Sequence, residues 1–272
     1  MTMIADIAHL GLLDDDAIML DAAALELAAL DHPGVSLDPH IDLLAGMTDR
    51  LIETAPAART AAEQAAMLAE IVAGEQRFTG DRRNYDDPAN ADLIQVIERR
   101  RGLPVALAII YVALARRVGW TAYALNTPGH VLGSVIADEE TVLFDPFADG
   151  AAVDARGLAA LLETALGREA RLQATHLAPM SNRTVLVRLL MNQATRAEGG
   201  GDAARALTLF ERITTIAPAH PHGWWERARL ELVHGRRGAA RASLSAMLET
   251  TRDPALRMHA NTALDTLAGQ TD

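Results

Sequence analysis

ERRRGLPVALAIIYVALARRVG, residues 98–119, is the stretch on which the reading of this chain turns. Charged residues run up to Gly102, a Leu-Pro step follows, and an apolar run then ends in Arg116, Arg117 and Gly119. The run predicts a helix over 103–118 with Pro104 in its first turn, where a backbone N–H has no intrahelical partner to lose. Just upstream, 91–101 predicts a short helix. Gly102 is its expected C′ residue, and the three arginines Arg99 to Arg101 suit its negative end.

Outward from this helix the pattern changes twice. Residues 14–74 carry apolar positions at helical spacing, broken at DHPGVSLDPH (31–40) and near Pro56. Alanine-rich stretches such as RTAAEQAAMLAEIVAG are strong helix formers, so three N-terminal helices are expected, the last closing at Gly74. FTGDRRNYDDPAN (78–90) is turn chemistry throughout. Downstream, TAYALN, HVLGSVIA and TVLFDP are β-branched or alternating, which predicts antiparallel strands at 121–126, 129–137 and 141–145. With a two-residue loop at Asp138-Glu139, Asp145 falls opposite Leu132 and shares a face with His130. A helix is expected at 155–167, and everything from about 180 is helical.

The tail has an internal echo. GDAARALTLFERITTIAP (201–218) resembles GAARASLSAMLETTRDP (238–254) at an offset of 36 residues. Each follows another helix, at 183–198 and 222–234, the latter opening with Trp224 and Trp225. The pattern is similar to a pair of tetratricopeptide (TPR) hairpins, whose usual period is about 34 residues.

Composition narrows the function. Of 272 residues, 25 are Arg and none Lys, against 36 Asp and Glu, for a net charge of −11. Such a chain repels phosphate backbones, and Arg99–Arg101 is too small a patch to reverse that, so nucleic acid is not an expected partner. There is no cysteine, which removes disulfides, thiolate metal sites and any thiol nucleophile. The N-terminal stretch has no basic n-region and carries four aspartates, unlike a signal peptide. The longest apolar run, Leu103 to Ala115, is too short to span a bilayer. A soluble cytoplasmic protein is expected. No metal spacing, phosphate loop or dinucleotide fingerprint appears, and no cofactor is expected.

The ordered set FTGDRRNYDDPANADLIQVIERRRGLPVALAIIYVALARRVG, NTPGHVLGSV and LFDPFADG resembles the transglutaminase-like core of papain-type cysteine enzymes. With the helical tail, it resembles the SirB-like subgroup, in which such a core precedes TPR helices. The resemblance implies an α+β fold in three parts: N-terminal helices packed on the core (1–75), the transglutaminase-like core (76–175) and TPR-like hairpins (180–268). It places the family histidine at His130 and the family aspartate at Asp145. The nucleophile position falls on Pro104, and GLPVALAII (102–110) holds no Ser, Thr or Cys to replace it. Without a nucleophile within reach of its base, covalent acyl transfer is lost. Asn84, Tyr85 and Asn90 are candidates to border the cleft. The expected function is therefore non-catalytic: a regulatory pseudoenzyme binding a peptide or protein partner. The alternatives are a hydrolase using His130 and Asp145 on water, and a structural role in which the tail forms a homodimer interface.

Overall fold

Every residue from Gly102 to Ala115 is buried in the computed structural model, which describes residues 7–167 and 171–269. A helix apolar on all sides needs cover on all sides, and the surrounding elements supply it. Two compact units result, one of residues 15–186 and one combining residues before 15 with those from 187 onward. The fold is α+β, with a helical C-terminal part.

In chain order, α1 (Ala8–Leu12) belongs to the second unit. The first unit opens with α2 (Leu20–Ala29), α3 (Asp38–Thr54) and α4 (Ala61–Ala69), the last capped by a Thr60–Glu63 capping box. Next come β1 (Thr79–Gly80), α5 (Leu93–Arg99), β2 (Arg101–Gly102) and the central helix, α6 (Pro104–Arg117). The strands β3 (Thr121–Leu125), β4 (Leu132–Ala137), β5 (Glu140–Asp145) and β6 (Ala151–Ala152) form one antiparallel sheet in that order, followed by α7 (Ala155–Leu166). Helices α2, α3 and α5 pack against α6, as do β3 and β4. Each fully buried aliphatic side chain of α6 contributes about 1.5–3 kcal/mol. Its C-terminal arginines complement the helix dipole: Arg117 pairs with buried Asp21, and Arg116 donates to Asn182 Oδ1 at 2.6 Å.

The β4–β5 hairpin has the two-residue tip that the sequence predicts, pairing Ala137 with Glu140 and Gly133 with Phe144. Asp138 and Glu139 both have positive φ, 45° and 68°, the conformation of a type I′ turn. Phe144 is fully buried, and its ring crosses the position where a side chain at Gly133 would begin.

Several boundaries differ from the expectation. The second strand starts at Leu132 instead of 129, because residues 127–130 are occupied by a turn. Gly74 does not cap α4, which continues as a π-helical turn over Glu70–Glu75; the left-handed residue beyond it is Arg77, φ 61°. Arg100, φ 57°, caps α5 in place of Gly102. Gly102 instead pairs with Gly80 in a short parallel bridge, where its hydrogen lies against Val96. The expected N-terminal block loses residues 7–14 to the second unit, where Gly11 lies against the backbone of Thr215. Residues 1–6 and 168–170 of the expected blocks lie outside the described residues.

The tail is helical throughout: α8 (Asn182–Gly199), α9 (Ala203–Ile216), α10 (Pro221–Val233), α11 (Arg237–Thr250) and α12 (Pro254–Gly269). From α9 onward each helix packs on the next. Ala228, Ala240, Leu244, Met247, Ala260 and Leu267 form a core there, and both Trp224 and Trp225 pack half-buried against it. Among the described residues no helix is long and apolar enough to cross a membrane.

Two glycines give opposite expectations. A Cβ at Gly133 would stand 2.1 Å from the Phe144 ring, so Gly133→Ala lowers stability by about 1–3 kcal/mol through overpacking. Gly46 lies exposed within α3 with nothing near its missing side chain, and Gly46→Ala raises stability by about 0.5–1 kcal/mol. Urea unfolding midpoints of the two variants should move in opposite directions.

Candidate functional site

Pro104 is the first residue of α6, preceded by Leu103 in extended conformation (φ −74°, ψ 161°) with no side-chain cap. Leu103 N–H donates to Asn90 O at 2.8 Å, which fixes the entry into the helix. Proline removes one N–H from the helix terminus, and the buried first turn carries no polar side chain. There is consequently no group here to attack a carbonyl, and one fewer donor to stabilise an oxyanion.

His130 is presented by a turn. Thr127 O accepts from His130 N–H at 3.1 Å, with Pro128 and Gly129 (φ 69°) at the central positions, the residue order of a type II turn. This turn precedes β4, so His130 does not open the strand. Asp145 ends β5 and caps the short 3₁₀ turn Pro146–Ala148. Its Oδ1 accepts from Phe147 N–H at 2.9 Å and meets His130 Nε2 at 2.8 Å. The two side chains are 14% and 12% exposed, so the pair is shielded but reachable. Helix α6 packs against the Pro146–Ala148 turn. From that helix Tyr111 sits fully buried, its ring 5.3 Å from Phe144. Burial, then the nearby Asp149 and Asp145, push its phenol above the ordinary range, so it remains protonated.

The 78–90 loop contributes unequally. Tyr85 is exposed and meets Phe147 edge-on, ring centres 5.6 Å apart. Phe147 is in turn edge-on to His130 at 6.1 Å, and the Arg82 guanidinium lies 5.9 Å from its ring centre. Asn90 is wholly buried and donates to Asn84 O at 2.7 Å; it holds the loop instead of lining the site. Asn84 also acts within the loop, its N–H bonded to Asp81 Oδ1 at 3.1 Å. Sequence reasoning misses Asp81, Arg82 and Phe147. The available signal was Gly80, whose Cα is so close to Phe147 that no side chain fits there.

Asp81 anchors this loop. It is 4% exposed, accepts from Arg83 and Asn84 N–H groups, and pairs with Arg99 at 3.2 Å; Arg99 also reaches Asp87 at 3.1 Å. Burial alone would raise its carboxyl. The Asn84 and Arg83 N–H groups, the Asn90 amide and the Arg99 guanidinium outweigh that and hold it below the usual range. The other two arginines of the run are also accounted for: Arg100 donates to Ile97 O and covers the Phe78 ring, and Arg101 is exposed in β2.

A carboxyl whose pKa falls on folding adds stability above its unfolded value, about 3.9, and loses it as pH drops through the folded value. Asp81→Asn therefore costs roughly 1–3 kcal/mol at neutral pH, as expected for hydrogen bonds to a charged group. It also flattens the fall in stability below about pH 4, measured by urea denaturation across an acid series.

The transglutaminase-like superfamily profile matches residues 39–191, a span that contains Pro104, His130 and Asp145. A UPF0162 protein of Xylella fastidiosa (strain 9a5c) is 31% identical over 251 residues, covering 88% of this chain and 86% of that protein. The UPF0162 protein of Vibrio cholerae is 31% identical over 183 residues, 65% of this chain and 66% of its own length. Human F-box only protein 21 shares 31% identity over 62 residues, 23% of this chain and 10% of that protein. No solved structure matches. With the profile covering more than half of the chain and relatives aligned along most of it, the chain belongs to the transglutaminase-like superfamily.

Proposed function

We propose that this chain is a non-catalytic, SirB-like member of its superfamily, a cytoplasmic regulatory protein that binds a peptide or protein partner. One observation carries the reading. Pro104, on which the family resemblance places the nucleophile position, is buried at the head of a helix whose first turns are wholly apolar. An acyl-enzyme needs a thiol or hydroxyl within hydrogen-bond reach of its base, and none is offered there. What stays around the His130–Asp145 pair is a shaped, partly exposed surface. The tail supports the same reading by analogy: its helices succeed one another as TPR-like hairpins do, and such hairpins present surfaces to peptides.

The second reading rests on the 2.8 Å contact between His130 Nε2 and Asp145. A carboxylate at Nε2 orients the ring so that Nδ1 would take a proton from water, and general-base catalysis of that kind contributes about 10²–10⁴-fold. Hydrolysis of p-nitrophenyl acetate and of a peptide anilide separates the two. Wild type and His130→Ala should be indistinguishable from each other; turnover that vanishes in His130→Ala establishes the hydrolase instead.

A restored thiol probes the same point from the other side. Because residue 104 is buried, Pro104→Cys should react with iodoacetamide more slowly than a free thiol in the native state, and at the free-thiol rate in urea. Fast native alkylation that depends on His130 would show that residue 104 lies open beside the histidine, against its burial here, while the non-catalytic reading stands or falls on wild-type hydrolysis.

A further inference from the structure

Resting on the reading of this chain as a binding protein, we propose that the patch formed by Arg82, Tyr85, Phe147 and His130 docks an acidic segment of a protein partner. Phe147 is the hub: Tyr85 and His130 meet its ring edge-on at 5.6 and 6.1 Å, and Arg82 lies 5.9 Å from its centre. Arg82 and Tyr85 are exposed, and these residue types dominate interface hot spots because each combines a flat apolar surface with a polar tip.

Charge selects the partner. The chain as a whole is acidic, at −11, so only local cations can draw an acidic segment, and Arg99 beside the loop is already taken up by Asp81 and Asp87. The side chains of Arg82 and Arg83, in contrast, are exposed and make no ion pair among the described residues. Of the carboxylates beside the patch, Asp145 already holds His130 and the Phe147 N–H, and Asp149 accepts from Thr79 Oγ1 at 2.6 Å. Asp86, the exposed acid of the same loop, makes an interaction of its own. The cations left over call for carboxylates, and a guanidinium resting on an aromatic ring accepts one with little further ordering.

The loop is also built in advance. Buried Asp81 and Asn90 fix its backbone from inside, through bonds to Arg83, Asn84 and Tyr85. Preorganisation of this kind lowers the entropic cost of docking. A carboxylate of the partner would pair with Arg82, and the adjoining residue would lie on Tyr85.

Panning a random dodecapeptide phage library on the purified chain tests the proposal. Recovered peptides should be enriched in Asp and Glu. A fluorescein-labelled dodecapeptide from that set should lose about tenfold or more in affinity on Arg82→Ala and on Tyr85→Ala, and weaken as NaCl is raised. Arg59→Ala, an exposed arginine outside the patch, should bind as wild type, and circular dichroism melts establish that each variant is folded. Neutral or basic peptides, or acidic ones indifferent to Arg82→Ala, overturn the proposal while leaving a binding protein. Recovery of no peptide overturns it together with that reading. Cleavage of the bound peptide, seen by mass spectrometry, would refute the non-catalytic reading alone.

Discussion

The first unit is arranged around a helix that water does not reach from Pro104 to Ala115. A segment this apolar has no solvated face to turn outward, so its neighbours are fixed by the need to cover it. Helices α2, α3 and α5 and the strands β3 and β4 pack on it, and its charged groups appear only at the C-terminal end, at Arg116 and Arg117. The same constraint governs the chemistry. In an enzyme, the first turn of such a helix must combine burial for the scaffold with exposure of one reactive atom. Here burial has taken the whole turn, and proline suits it because the terminus tolerates a missing N–H.

His130 and Asp145 are each held by contacts besides their own. Asp145 would be required to cap the Pro146–Ala148 turn whether or not a histidine stood opposite. His130 is delivered by a turn whose Pro-Gly centre sets its geometry. Structural work of this sort keeps the two side chains together whatever else the pair does. It also ties the neighbourhood together, with Phe147 shared among His130, Tyr85 and Arg82.

Local rules read part of this structure from the sequence. The hairpin register is legible because a two-residue tip and strand alternation leave one pairing, and Pro104 at a helix start is legible because proline has few other places in a helix. Glycine positions mislead. Gly102 looks like a helix cap but is needed where Val96 and the β1 strand approach, and Arg100 takes the left-handed conformation instead. The loop is legible only as turn chemistry. Which of its residues face inward depends on Asp81 meeting Arg99, 18 positions away, and on Tyr85 meeting Phe147 across the fold. No local pattern encodes such meetings. The grouping of α1 with the C-terminal helices is invisible for the same reason, since it depends on the contact between Gly11 and Thr215.

The hairpin tip at Asp138 and Glu139 has a bearing on how this surface can change over generations. Neither residue is glycine, yet both hold left-handed backbone angles, so the tip keeps its length against local preference. Exposed loop tips usually accept insertions freely. This one sets the parity of β5: with β4 fixed, a net gain of one residue would turn each β5 side chain to the opposite face of the sheet. Asp145 would leave the histidine, and Phe144 would leave the core. Two solvent-exposed residues with no part in any chemistry therefore act as a ruler, setting which β5 side chains reach His130 and which reach the core.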